Sequence, residues 1–192
     1  MKTQLFYLAA ILFMACNNES KDSVEKADSA NSAKRDSSTI SNGKAAVTVD
    51  KAGADFLVKA MEGGMMEVEL GNIAKQKGQH KRVQNFGNMM VVDHSEAGEK
   101  IKNLASARTV TLPTMTGDEK SKMIRDLNAK KPSDFDKAYI DEMIYDHKAD
   151  IKLFETAAKK CLDPDVKSFA VKTLPLLQEH LDAISAIKDS MK

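Results

Sequence analysis

The chain has 192 residues, 29 of them Lys or Arg and 28 Asp or Glu, for a formal net charge of +1. That balance excludes the basic footprint of a nucleic-acid-binding surface and a polybasic membrane patch. With no Trp and 5% aromatic residues, it also lacks a stacking platform for sugars or nucleobases.

The N-terminus reads as a leader. Lys2 supplies a short positive region, Leu5 to Met14 an apolar run too short to span a bilayer, and Ala15-Cys16 a small residue before a cysteine. Residues 1–15 are therefore expected to be a lipoprotein signal peptide, with Cys16 the lipidated first residue of the mature chain. The lipobox is imperfect, because Phe13 occupies the place where Leu is usual and Leu12 lies one position early. The alternative is a conventional secretory signal cleaved nearby. Either route places the protein in the cell envelope, in the periplasm or at the outer membrane, with the lipid anchor as its membrane partner. With Cys16 lipidated, only Cys161 remains, and no intramolecular disulfide can form.

Residues 16–49 are rich in Ser, Asn, Lys, Asp and Ala, a composition that buries too little apolar surface to offset its ordering entropy. A disordered tether is expected there. Residues 50–192 then form one domain of ordinary size.

Within that domain the apolar periodicity predicts four long helices and no strands. The first runs from about Lys51 to Lys77 and stops at Gly78; the second covers roughly His80 to Arg108, ahead of Pro113. A short helix follows, with Thr116 and Glu119 at capping-box spacing. The third is expected after Pro132, with Ser133 as N-cap, and runs to Cys161. The fourth begins at Asp163-Pro164 and reaches the C-terminus. Short turns between long helices predict an all-α, antiparallel four-helix bundle with a short extra helix between the second and third.

A step of about 100° per residue places one ionisable side chain at the centre of each apolar stripe: Glu67, His94, His147 and His180. Counted from the turns, their depths agree to within about one helical turn, so all four can meet in a mid-bundle layer. A pentapeptide occurs twice around this layer, as Met90-Val91-Val92-Asp93-His94 and Met143-Ile144-Tyr145-Asp146-His147. Met and His four apart share a helix side, which adds Met90 and Met143 to the candidate metal ligands. Three imidazoles and a carboxylate suit copper, zinc or iron, and the thioethers would favour copper(I). His80 is expected to be exposed. Asp136 is expected to cap a helix, and Asp93, Asp146 and Glu179 to be surface or interhelical groups. No Glu-x-x-His pair of the di-iron type is present, and no local motif marks a nucleophile or phosphate loop, so no catalytic residue is assigned. The alternative is a metal-free envelope interaction or stress-protection protein. Its Glu67 and histidines would form a structural network completed by Tyr139 or Tyr145, with Met90 and Met143 filling the core. Pro175, inside the fourth helix, predicts a kink ahead of His180.

Phe56, Gly63 to Gly71, Phe86 to Met90, Asp93-His94, Phe135 to Tyr139, Met143 to His147, Leu174-Pro175 and Glu179-His180 together resemble the predicted outer-membrane bacterial family called domain of unknown function 4142. The resemblance covers essentially the whole domain and implies a ferritin-like fold, with no biochemical role attached. The third helix, through Phe135-Asp136, Met143 and His147, is similar to the copper-associated domain of unknown function 305. It departs from that motif where Asp146 replaces the first of two adjacent histidines.

Overall fold

The computed structural model describes residues 22–38 and 49–191. These contain six helices and no strands: α1 (Ser23–Ser38), α2 (Lys51–Lys77), α3 (Lys81–Ala107), α4 (Asp118–Ala129), α5 (Pro132–Lys160) and α6 (Pro164–Ser190). Among them, none is long and apolar enough to cross a membrane.

The four long helices start and stop close to the expected positions, because their signals are local. α2 ends at Gly78, and His80 caps α3 by accepting from the Arg82 N–H through Nδ1 while its ring stays exposed. Asp163 caps α6 with bonds from the Asp165 and Val166 N–H groups, ahead of Pro164 at the first turn. Two starts differ. α5 is capped at Lys131 with Pro132 in its first turn, so Ser133 is inside the helix, and α4 is capped by Gly117 while Thr116 pairs with Ser121.

Short turns fold α2 onto α3 and α5 onto α6, and contacts between α2 and α5 and between α3 and α6 close the helical bundle. The α2–α3 crossing depends on two glycines. A Cβ on Gly71 would meet the Gly87 carbonyl oxygen at 2.6 Å, and one on Gly87 would meet the Gly71 oxygen at 2.7 Å. α6 runs through Pro175 as one helix.

The apolar core is divided in two. One half, around Phe56, Leu57, Ile101, Phe154 and Phe169, includes the edge-to-face pair of Phe56 and Phe154 with ring centroids 4.9 Å apart. The other gathers Leu70, Phe86, Met90, Phe135, Tyr139 and Met143. On every long helix the ionisable residue lies where one half gives way to the other.

The expectation of a tether over residues 16–49 does not hold for Ser23–Ser38, which is helical and docked. Asn31 pairs with Thr111 in both directions: its amide N donates to the Thr111 carbonyl at 2.9 Å, and its Oδ1 accepts from the Thr111 N–H at 2.7 Å. Asp22 accepts from Val24, Glu25 and the α4 residue Asp118. Composition missed this because α1 is held by hydrogen bonds to an irregular connection, with little beyond Ala27 buried as apolar surface. The signal peptide and Cys16 lie outside the described residues.

Candidate metal centre

Each imidazole sits at the middle of a helix pinned on both sides by core packing, and each has one ring nitrogen held by an outer partner. His94 Nδ1 lies 2.7 Å from Glu67 Oε2. His147 Nδ1 donates to the Met143 carbonyl at 2.9 Å, with Glu67 Oε1 at 3.4 Å from the same nitrogen. His180 Nε2 lies 2.9 Å from Asp93 Oδ2. The nitrogens left over are His94 Nε2, which is buried without a hydrogen-bond partner, and His147 Nε2 and His180 Nδ1, which face each other at 3.3 Å. One nitrogen from each of the three rings lies within 4.8 Å of the other two.

Burial sets the protonation states. It pushes the Glu67 carboxyl up to about 8, against the lowering influence of His147 and Lys120, with Asp146 raising it further. It pushes His94 down to about 4 against the raising influence of Asp93 and Asp146. His147 and His180 are also lowered, first by burial, although Glu67 and Asp93 respectively act the other way. At neutral pH the histidines are therefore neutral, each with one N–H and one lone pair. The Met143 carbonyl takes the His147 Nδ1–H and the Asp93 carboxylate takes the His180 Nε2–H. Two lone pairs are then left facing each other across 3.3 Å.

Beside the imidazoles lies a carboxylate group, with Glu67, Asp146 and Asp150 oxygens within 4.8 Å of one another. Lys120, delivered by α4, reaches Asp146 Oδ1 at 3.3 Å. Burial lowers the Lys120 ammonium, and Asp146 and Asp150 raise it by more. Asp150 is held well above the ordinary carboxylate range, by burial first and then by Glu67 and Asp146. Gly63 packs against it: a Cβ there would be in ordinary contact with the Asp150 carboxylate, 3.5 Å away.

The structure thus brings Glu67, His94, His147 and His180 into one layer. Met90 and Met143 are fully buried members of the apolar half-core, and Met143 meets the site through its backbone carbonyl. Tyr139 is buried with its hydroxyl unpartnered, and Tyr145 is exposed, so neither completes a network with Glu67. Asp136 does not cap its own helix: its carboxylate reaches the α2–α3 turn, where it accepts from the Gln79 and His80 N–H groups. Sequence reasoning missed Asp93, Asp146, Asp150 and Lys120 as members of the site. Asp150 carried a signal, being three residues after His147 and thus on the same side of α5. Lys120 had none, because its position depends on how α4 docks.

The profile of the domain of unknown function DUF4142 matches residues 21–187. The chain belongs to the DUF4142 family. No curated protein matches its sequence. In fold this DUF4142 protein is similar to the crystal structure of a DUF305 fragment from Deinococcus radiodurans, with a TM-score of 0.65 at 9% identity, covering 73% of this chain and 97% of that one. The matched span reaches back to residue 21, in keeping with α1 as part of the domain.

Proposed function

We propose that this DUF4142 protein is a lipid-anchored cell-envelope protein with a ferritin-like helical bundle, which binds one transition-metal ion through His94, His147 and His180. The observation that carries the reading is the pair of lone pairs on His147 Nε2 and His180 Nδ1 at 3.3 Å, with a nitrogen of His94 within 4.8 Å and its Nε2 unpartnered. Two nitrogens at ~2.0–2.1 Å from a tetrahedral ion stand about 3.3 Å apart, so the spacing is that of two ligands of one metal. The outer partners fit the same reading. A ligating histidine ordinarily gives its other N–H to a carboxylate or carbonyl, as His180 does to Asp93 and His147 to Met143. Glu67 then serves as the outer partner of His94, and Met90 and Met143 as core. Three neutral imidazoles suit copper or zinc better than iron.

The metal-free network is the competing reading. A self-sufficient network would satisfy its buried groups, whereas His94 Nε2 has no partner and the lone pairs of His147 Nε2 and His180 Nδ1 face each other. Protein purified without chelator or polyhistidine tag, then stripped and titrated with zinc or copper, separates the two. Metal binding raises Tm by mass action; His147→Ala abolishes the rise and His80→Ala retains it. A flat titration with a destabilised His147→Ala variant would establish the structural network instead. Lipidation at Cys16 is tested by mass spectrometry of the mature N-terminal peptide from the membrane fraction, where an unmodified Cys16 overturns it.

A further inference from the structure

A cavity of about 240 Å³ opens between α2, α3, α5 and α6 and reaches one member of the imidazole layer, His94. Met65, Ile101, Phe154 and Leu177 are among its apolar lining, and His94, Asp93 and Asp150 among its polar lining. Those three residues belong to three different parts of the site: one imidazole, the anchor of a second and the carboxylate group.

Two of the cavity's lining positions are helical glycines, Gly64 and Gly98. A Cβ on Gly64 would lie 3.9 Å from His94 Nδ1, and a Cβ on Gly98 would meet nothing within 4 Å. Glycine is unfavourable in a helix interior relative to alanine, and at Gly98 close helix packing does not account for it, since a side chain there would project into the open cavity.

We infer that this cavity is a binding site for a small neutral molecule with an apolar body and a single lone-pair donor, which it presents to the His94 side of the metal centre. Size and charge define the class. The volume is below the ~300 Å³ at which drug-sized pockets begin, enough for one ring system. Asp93 and Glu99 line the cavity against the single cation Lys102, which does not favour anions. Apolar walls supply burial for the body, and a three-imidazole metal centre of the catalytic zinc type keeps a fourth position for an outside ligand.

The inference rests on the three-imidazole reading, and its test separates the two. 4-Phenylimidazole, a neutral azole, is titrated into stripped and zinc-loaded protein while backbone amide shifts are followed by NMR. Saturable shifts centred on Gly64 and Gly98 are expected in both forms, with at least tenfold tighter binding when zinc is present. Gly98→Leu should remove them while zinc still binds, and Gly98→Ala, whose added methyl meets nothing within 4 Å, should weaken the azole several-fold with the fold intact. If zinc does not bind, the metal reading fails by itself, and loss of the stripped-protein shifts in Gly98→Leu still supports the cavity. Absence of shifts at Gly64 and Gly98 in either form, unchanged azole binding by Gly98→Leu, or equal affinity with and without bound zinc would overturn the proposal.

Discussion

Glu67 is a fully buried carboxyl group held near neutral by its surroundings, and this has a measurable sign. Its folded pKa, about 8, lies above the ordinary value of 4.5. Below pH 4.5 both folded and unfolded chains carry the proton and nothing is lost. As pH rises from 4.5 to 8 the unfolded chain releases a proton that the folded chain keeps, so this group's contribution to stability falls. In stripped protein, the stability of wild type relative to Glu67→Gln should therefore decline from pH 5 to pH 8, measured by denaturant unfolding. A difference that stays constant or grows with pH would contradict the burial of Glu67 as a neutral acid. The methionines make a second test at this scale. Since Met90 and Met143 are packed in the core, their double replacement by Leu conserves volume and should cost less than ~1.5 kcal/mol per site, leaving zinc affinity unchanged. A large loss of zinc affinity would return the thioethers to the ligand set.

At the scale of elements, α1 and α4 are the parts that composition misreads or leaves without a role. α1 is too polar to be predicted as part of a core, yet its Asn31 replaces the missing secondary-structure partners of Thr111. Asn31→Ala strands the Thr111 N–H and C=O and should cost ~1–3 kcal/mol by thermal or chemical denaturation. A loss below ~0.5 kcal/mol would show that α1 is not coupled to the bundle. α4 carries Lys120 to Asp146, so a short helix between the two hairpins sets the charge balance beside Glu67. The long helices were legible because their caps, breakers and periodicity are local. α1 was not, and α4 was legible as a short helix but not in where it packs, because tertiary docking fixes both placements.

For the whole molecule, helical periodicity was enough to place Glu67, His94, His147 and His180 in one layer. Four independent stripes and four turn positions allow only a narrow range of bundles. The same bookkeeping set Asp93 aside, since it lies about 100° from His94 on its own helix. In three dimensions that offset aims it across the α3–α6 boundary at His180 Nε2. A stripe locates the centre of a bundle well and the contacts between neighbouring helices poorly, and outer partners of a metal ligand live at those boundaries. The hydrogen-bond directions that separate ligands from their supports follow from the folded geometry alone.

The central claim is that three imidazoles converge on one metal ion, and X-ray absorption at the zinc edge of the loaded protein tests it directly. One zinc per chain is expected, with three imidazole nitrogens at ~2.0–2.1 Å, their ring scattering, and a lighter fourth ligand. Loss of one imidazole shell in His147→Ala should follow. A site with sulfur at ~2.3 Å, or without imidazole scattering, would contradict it.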